Sequence, residues 1–522
     1  MYDVLIKNGL IVDGSGAPAF CADVAIQNMK IAKIAQQIDK PAVRVLDASG
    51  LVVAPGFIDC HNHSDADALL GSSCYNSLEQ GVTTQITGNC GYSPAPYYDG
   101  AMLRLKNHLS ADVFTQLTRK AMTMHSFMDS AEQASLGTNM AFLVGHHNIR
   151  AKNIGFGAET PTAKQLSEMC DDLMEAMEAG CLGMSTGLIY APSGHAQMSE
   201  LIALAKAMAP YGGIYASHIR NESDHVIESV DEAIRVGEET GVQVHISHLK
   251  VMGLHNAGLS EKILQRIDDA RAHGLRVYAD QYPYTASSAA LSSRIPAMYH
   301  AGGIEKFLER LQQKTVRKAI GISDTDYDAM MITSLPVTRE YENKTVGQIA
   351  REENKRPVDV LCDILLANRG VGQGVYFNQS EPDMLRILAH PYVFGGTDSS
   401  NLPDARRDPE VFGGRHPRGQ AAMVRRLQLQ RDNKLCSLEA SVHRVTGGPA
   451  EVFHLHHQGL LREDFDANIT IFDYENLRAH ATYQQPYKAN DGIRWVLVNG
   501  KLAVAEGRTT AQRIGKILKR AK

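Results

Sequence analysis

Between about residues 55 and 450, short apolar runs alternate with longer amphipathic stretches, and this alternation limits the fold more than any other feature of the sequence. Buried parallel strands have short apolar sequences, and the helices between them carry an apolar face of helical period. The runs predict strands at Phe57–His63, Thr83–Asn89, Met140–His146, Cys181–Leu188, Gly213–His218, Val242–His248, Arg276–Tyr282 and Tyr392–Asp398. Helices are predicted at Thr162–Ala179, Met198–Ala209, Val226–Thr240 and Ser260–Ala272. Eight strands that alternate with helices predict an α/β fold with a (β/α)8 TIM-like barrel.

The two ends of the chain predict short β-strands instead. Residues 2–12 predict two strands around Asn8-Gly9, because Asn-Gly is typical of two-residue hairpin turns. Other strand-like segments lie at 22–26, 31–34, 44–47, 468–472, 495–498 and 501–505, with a second turn at Asn499-Gly500. More than a hundred residues separate the seventh and eighth apolar runs of the middle region, which is too long for one crossover. An inserted subdomain or lid is therefore predicted at about 286–345.

The composition is that of a globular protein and argues against several functions. Hydrophobic residues make up 44% and charged residues 21%, and the formal net charge is −5 at pH 7. The sequence has no runs of Lys and Arg that would bind nucleic acid, and no apolar stretch near the roughly 18 residues of a membrane span. The first residues lack the order of a signal peptide, and the scattered cysteines form no C-x-x-C pair. A soluble, cytoplasmic protein is predicted, and its oligomeric state is left open.

Histidines 61 and 63 follow the first predicted strand of the barrel. In an extended chain, positions i and i+2 point to the same side, so His61 and His63 are placed to share one metal ion. Two hydrogen-bonded structural histidines would give the same H-x-H pattern. The end of a barrel strand is where such a fold places its active site, which favours metal ligands.

Further candidate ligands end other predicted strands. Cys90, His218, His248 and Asp398 each follow an apolar run, and a barrel would bring these strand ends together. A thiolate, several imidazoles and a carboxylate are ligands that Zn²⁺ prefers. His245 lies three residues before His248, on the opposite face of a regular strand, and is predicted to be structural. His146-His147 ends another strand, where a supporting role is predicted.

Several motifs carry a resemblance to a known family. The segment Ala54-Pro55-Gly56-Phe57-Ile58-Asp59-x-His61-x-His63 resembles the signature of the amidohydrolase superfamily. More specific matches are Thr83-Thr84, Gly88-Asn89-Cys90-Gly91, Gly183-x-Ser185-Thr186-Gly187-Leu188-x-Tyr190-x-Pro192, Ile246-Ser247-His248-x-Lys250, Asp280-x-Tyr282-Pro283-Tyr284, Ser287-Ser288, Thr397-Asp398 and His416-Pro417-Arg418. Their order along nearly the whole chain resembles that of the N-acyl-D-amino-acid deacylases (D-aminoacylases).

The resemblance implies a zinc enzyme that hydrolyses the amide bond of N-acyl-D-amino acids, its small-molecule substrates. It implies a barrel at 55–454 and a small β-sandwich built from 1–54 and 455–522. The family has a cysteine thiolate where many amidohydrolases have a carboxylated lysine. By motif, the ligands of a tightly bound Zn²⁺ are Cys90, His218 and His248, and a weaker adjacent site is formed by His61 and His63.

The resemblance also implies roles for other residues. Asp398 matches the catalytic carboxylate, and Tyr190 matches a residue that hydrogen-bonds the scissile carbonyl. The groups that hold the substrate α-carboxylate match Lys250, Tyr282, Ser288 and Arg418. Arg294 follows Ser288 closely and is predicted to contact an acidic D-side chain, although an exposed arginine on a lid would give the same pattern.

Two other functions remain open at this stage. The first is another amidohydrolase, such as a cyclic-amide hydrolase or a dipeptidase; a cyclic-amide hydrolase would normally carry a bridging lysine in place of Cys90. The second is a non-catalytic scaffold on the same fold. Such scaffolds lose metal ligands, whereas all the candidate ligands are present in this sequence.

Overall fold

The computed structural model describes residues 1–98, 115–116, 118–119, 122–320, 327–401 and 416–520. Numbered in chain order, the strands are β1 Tyr2–Ile11, β2 Phe20–Gln27, β3 Lys30–Ala35, β4 Ala42–Asp47, β5 Val52–Pro55, β6 Phe57–Asp59, β7 Val82–Thr87, β8 Asn139–Phe142, β9 Val144–Gly145, β10 Gly183–Gly187, β11 Ile214–His218, β12 Gln243–Ile246, β13 Val277–Gln281, β14 Ser287–Ala290, β15 Met330–Ser334, β16 Gln373–Tyr376, β17 Val393–Gly395, β18 Ile469–Phe472, β19 Ile493–Val498, β20 Lys501–Ala505 and β21 Arg508–Thr509.

The helices of these described ranges are α1 Asp67–Leu70, α2 Tyr75–Leu78, α3 Met124–Ala131, α4 His146–Asn153, α5 Ala163–Ala179, α6 Met198–Met208, α7 Val226–Thr240, α8 Leu259–Ala272, α9 Ile304–Leu311, α10 Lys314–Ala319, α11 Val346–Glu352, α12 Pro357–Ala367, α13 Glu381–Ala389, α14 Arg418–Asp432, α15 Leu438–His443 and α16 Gly447–Val452. Short 3₁₀ turns lie at Ser193–His195, Ala209–Tyr211, Leu254–Asn256, Leu291–Arg294, Ala297–His300 and Arg339–Tyr341. In this part of the chain, no helix is long and apolar enough to cross a membrane.

Parallel strands close into a barrel. Strands β6, β7 and β8 pair in that order. A second set of parallel strands pairs in the order β9, β10, β11, β12, β13 and β17. Strands β8 and β9 are pieces of one strand, interrupted at Leu143, whose N–H donates to the Thr87 carbonyl (2.9 Å). The Cys60 N–H donates to the Gly395 carbonyl (3.0 Å), so β17 adjoins β6 and completes a ring of eight strands. The predicted barrel is confirmed.

The helices around the barrel follow from amphipathic sequence and from end signals. Helix α5 begins after Thr162, whose side chain accepts from the Gln165 N–H in a capping box. It buries Leu173 among other apolar residues, and it ends at Gly180, whose φ of 113° suits glycine. The four helices predicted from the sequence match α5, α6, α7 and α8 to within one residue at each end.

Both ends of the chain meet in one sheet of nine strands, in the order β21-β20-β19-β18-β5-β1-β2-β3, with β4 also paired to β1. The antiparallel pair of β5 and β18 joins the two ends. Asn499-Gly500 turns between β19 and β20 as predicted. The hairpin predicted at Asn8-Gly9 is wrong, because β1 continues through it with a bulge. Asn8 donates from its N–H to Asp23 Oδ1 (3.0 Å), which holds the bulge in the sheet.

The long connection between the seventh and eighth barrel strands forms a unit with its own core. Strands β14, β16 and β15 pair in a three-stranded antiparallel sheet. A cluster of buried apolar residues extends from Leu291 to Tyr376. The inserted unit therefore continues beyond the predicted limit of residue 345, since the apolar face of α12 packs in this cluster and not against the barrel.

We expect Leu173→Ala to lower the free energy of unfolding by about 2–5 kcal/mol, because the deletion leaves a cavity in a fully buried site. Lys164→Ala on the same helix is the control; the Lys164 side chain is 86% exposed and should contribute less than about 0.5 kcal/mol. Urea unfolding followed by circular dichroism measures both. Equal effects of the two substitutions would contradict the packing of α5 on the barrel.

Candidate active site

The candidate metal ligands meet at the carboxyl end of the barrel. They come from the ends of β6, β7, β11, β12 and β17, and they are His61, His63, Cys90, His218, His248 and Asp398. Because the strands are parallel, their carboxyl ends open on the same side. The backbones of Cys90, His248 and Asp398 have positive φ angles of 53°, 37° and 47°, so the chain turns sharply where each of these strands ends.

Cys90 lies at the centre of this cluster. Its Sγ is 3.3 Å from His61 Nε2 and 3.3 Å from His248 Nε2. Burial alone would raise the pKa of the Cys90 thiol, but the nearby His61 and His248 side chains lower it well below its ordinary value. A thiolate is the form in which cysteine binds metal ions. Three overlapping groups have ligand atoms within 4.8 Å of one another: His61, His63 and Cys90; Cys90, His218 and His248; and His61, His248 and Asp398.

His218 tests whether these residues suit a metal ion. Both of its ring nitrogens are buried, and neither makes a hydrogen bond to a described residue. A buried polar group without a partner is costly, and a metal ion would satisfy one of these nitrogens. The 3.3 Å between Cys90 Sγ and His248 Nε2 is close to the roughly 3.5 Å expected for two ligands of one tetrahedral zinc ion. The donor set fits a metal.

Asp280, near the end of β13, contacts two of the candidate metal ligands, His61 and His248. Its Oδ2 is 3.2 Å from His61 Nδ1 and 2.8 Å from His245 Nε2, and its Oδ1 accepts from the His248 N–H (2.9 Å). Burial would raise the Asp280 pKa, but His61 and His245 hold it well below its ordinary range. A carboxylate on the far nitrogen of a metal-binding histidine fixes the tautomer and the ring orientation. His245 contacts this carboxylate and lies outside the three ligand groups.

Glu222 supports the other side of the cluster, and the sequence analysis did not identify it. Its Oε1 is 3.0 Å from His248 Nδ1 and pairs with Lys250 Nζ, and its Oε2 is 3.7 Å from His218 Nε2. Burial would raise the Glu222 pKa, and the charges of Lys250, His218 and His248 lower it strongly. The one signal in the sequence is its position four residues after His218. That spacing alone does not indicate a shared site.

Asp398 links the cluster of candidate metal ligands to two cations, Arg418 and Lys250. Its Oδ1 is 3.2 Å from His63 Nε2, and its Oδ2 is 2.7 Å from Arg418 Nη1. Burial would raise the Asp398 pKa, but Arg418 and His248 bring it well below its usual range, so the carboxylate is ionised. The Arg418 guanidinium lies 4.8 Å from the centre of the Tyr282 ring, and Lys250 Nζ lies 5.8 Å from the same ring.

The other predicted site residues lie around this core. The centre of the Tyr190 ring is 5.1 Å from that of His218, and burial raises the Tyr190 pKa well above its ordinary value, so the phenol keeps its proton. Ser288 contributes its backbone carbonyl, which accepts from Arg418 Nη2 at 3.4 Å. Arg294 lies in the inserted unit, with its guanidinium 3.8 Å from the centre of the Tyr376 ring.

We expect Cys90→Ala to lower metal affinity by more than the roughly 10–100-fold that is typical for loss of a supporting residue, because it would remove a candidate direct ligand. Cys181→Ala is the matched control, since Cys181 is also buried but belongs to none of the three ligand groups. Metal bound per chain is measured by plasma mass spectrometry after dialysis against a weak chelator. Equal metal contents of the two variants would contradict the role of Cys90.

Comparison with known proteins identifies the family. Residues 44–504 match the model described as "Amidohydrolase family". The chain is 32% identical to a D-aminoacylase of Alcaligenes xylosoxydans xylosoxydans, over 99% of this chain and 98% of the relative, and 35% identical to an N-acyl-D-glutamate deacylase of the same organism, over 99% and 96%. The solved N-acyl-D-glutamate deacylase of Bordetella bronchiseptica, complexed with zinc and a phosphonate inhibitor, superposes with a TM-score of 0.81 at 32% identity over 99% of each chain. This chain belongs to the amidohydrolase family, in the group of metal-dependent amidohydrolases that contains D-aminoacylase and the N-acyl-D-amino-acid deacylases.

Proposed function

We propose that the protein is a zinc-dependent deacylase that hydrolyses N-acyl-D-amino acids to a carboxylate and a free D-amino acid. One observation carries the proposal: Asp398 touches both the candidate metal ligand His63 and the cation Arg418. A carboxylate in that position is within reach of an amide bond whose carbonyl faces the metal and whose amino-acid carboxylate faces Arg418.

Two cations support binding of the substrate α-carboxylate. Arg418 is buried beside the Tyr282 ring, and a guanidinium binds a carboxylate through two parallel hydrogen bonds. Lys250 is also buried, and burial lowers its pKa while Glu222 raises it more, so it stays charged. We propose that Arg418, Lys250, Tyr282 and Ser288 form the carboxylate subsite.

The proposed metal centre is mononuclear or binuclear zinc. Cys90, His218 and His248 would hold one ion, and His61 with His63 would hold a second, weaker one. Thiolate and imidazole ligands favour zinc over magnesium or calcium, and a relative has been solved with zinc. Zinc, when bound, supplies a Lewis acid that polarises a carbonyl and lowers the pKa of water to about 7.

The remaining steps belong to side chains of this chain. Asp398 accepts a proton from the attacking water and then delivers it to the leaving amine nitrogen. Arg418 lowers the Asp398 pKa in the free protein. When a substrate carboxylate shares that guanidinium, Asp398 becomes a stronger base at the moment when a base is needed. The protonated Tyr190 hydroxyl donates a hydrogen bond to the oxyanion of the tetrahedral intermediate.

A paired screen tests the proposal. N-acetyl-D-amino acids and their L-enantiomers are offered to the wild type and to Asp398→Asn, and metal content is measured on the same samples. We expect the D-series to be hydrolysed preferentially, and Asp398→Asn to keep its metal but lose about 10²–10⁴-fold in kcat, as is typical for loss of a general acid and base. Asp432→Asn, at the exposed end of α14, is the control and should retain wild-type kcat. Preference for L-substrates, or unchanged turnover of Asp398→Asn, would refute the assignment.

The side-chain preference is proposed to be acidic, with Arg294 as the residue that senses it. The Arg294 Nε is buried and makes no hydrogen bond to a described residue, and its guanidinium lies on Tyr376, which pairs with Ser287 beside Ser288. We expect a higher kcat/KM for N-acetyl-D-glutamate than for N-acetyl-D-leucine, lost in Arg294→Ala, because a charge-assisted pair is stronger than a neutral hydrogen bond. Arg369→Ala, in the same inserted unit and 74% exposed, is the control. No preference for the acidic substrate would remove Arg294 from substrate recognition.

A further inference from the structure

A row of aromatic rings leads away from Tyr190 along one side of the barrel mouth. The centre of the Tyr190 ring is 5.8 Å from that of Tyr92, and Tyr92 is 4.4 Å from His147. The row ends at Phe156 and Tyr98, whose ring centres are 5.7 Å and 5.6 Å from that of His147. The inner end of the row is therefore next to the metal ligands, and Tyr92, with 38% of its surface exposed, is open to solvent.

The position of the row is opposite to the proposed carboxylate subsite. The side chains of that subsite follow β12, β13 and β17, whereas Tyr92, His147 and Tyr190 follow β7, β9 and β10. In the barrel these two sets of strands are separated by β6 on one side and by β11 on the other, and the candidate metal ligands His61, His63 and His218 come from these two separating strands. An amide whose carbonyl faces the metal and whose amino-acid part extends toward Arg418 must direct its acyl group the other way, toward the row.

Two glycines allow the strand ends that precede these aromatic residues to pack closely together. A Cβ on Gly145 would lie 2.2 Å from the Gly91 carbonyl oxygen, and a Cβ on Gly187 would lie 2.2 Å from the Cys90 carbonyl oxygen. The ends of β7, β9 and β10 therefore approach each other backbone to backbone. The large side chains that follow them are brought together into one continuous surface.

The row is uncharged at neutral pH. Burial lowers the pKa of His147 to about 3, so its imidazole is neutral, and its Nδ1 makes no hydrogen bond to a described residue. Burial raises the Tyr98 pKa, so that phenol also stays protonated. A surface of neutral rings favours an apolar ligand, whereas a charged group would be desolvated there without an ionic partner.

We propose that this row is the acyl-group subsite and that it accepts an uncharged acyl group larger than acetyl, with an aromatic acyl group preferred. The inference rests on the proposed deacylase function and adds the class of acyl group. Aromatic rings in edge-to-face or offset contact gain more than the burial of their area, which favours phenylacetyl over an aliphatic chain of similar size.

The test compares N-acetyl, N-phenylacetyl and N-succinyl derivatives of the D-amino acid that the wild type hydrolyses fastest. Tyr92→Ala removes the exposed ring of the row, and Tyr92→Phe restores it without the hydroxyl. Phe20→Ala is the control, because Phe20 is a similarly exposed ring (45%) on β2 of the terminal sheet. Metal content is measured on every variant.

We expect wild-type kcat/KM to be about tenfold or more higher for phenylacetyl than for acetyl, as is typical when a pocket gains apolar contact, and lowest for succinyl. Tyr92→Ala should lose the phenylacetyl preference, because its kcat/KM falls more for phenylacetyl than for acetyl, and Tyr92→Phe and Phe20→Ala should keep the wild-type preference. Acetyl hydrolysis with no phenylacetyl preference, or equal losses on both substrates in Tyr92→Ala, would overturn the acyl subsite alone. Failure of the metal-loaded protein to hydrolyse any of the three would overturn the deacylase function and the subsite with it.

Discussion

The buried carboxylate of Asp280 is the interaction on which the candidate site depends. It has no exposed surface, and it connects three barrel strands: β13, which carries it, β6 through His61, and β12 through His245 and the His248 backbone. Hydrogen bonds to both oxygens set the orientation of the His61 ring and of the chain at His248. The segment that follows β17 also packs closely against this carboxylate, since a Cβ on Gly396 would lie 2.7 Å from Asp280 Oδ1.

Backbone hydrogen bonds at the site explain how His248 and Asp398 keep positive φ angles. A non-glycine residue in the left-handed region costs of order 1–3 kcal/mol and persists only where its surroundings hold it. The His248 N–H is held by Asp280, and the Asp398 N–H donates to the His61 carbonyl at 2.8 Å. The turn at Cys90 directs its thiolate toward two histidines. Barrel closure and the site therefore use some of the same hydrogen bonds.

The sequence predicted the barrel well because buried strands and amphipathic helices leave periodic patterns. The strand that was predicted at Phe57–His63 ends at Asp59, and beyond it only separate backbone hydrogen bonds continue, such as those from the Cys60 N–H to Gly395 and from the Asn62 N–H to Ile86. The hairpin turn that the Asn-Gly dipeptide predicts is present at Asn499 and absent at Asn8. At Asn8, hydrogen bonds to Asp23 and Asp47 hold a bulge in the strand instead. Glu222 was missed because its partners are brought to it by the fold and leave no local pattern.

The pairing of β5 with β18 has a consequence for how the chain folds during synthesis. Pro55 on β5 pairs with Ile469 on β18, more than four hundred residues later. Non-local pairs of this kind form slowly, because a long loop must close before they contribute any stability. The N-terminal strands leave the ribosome first. The edge of β5 that pairs with β18 therefore has no partner until the last part of the chain has been synthesised. Unpaired strand edges are prone to wrong pairing, so the nascent chain is at risk of misfolding at this edge for most of its translation.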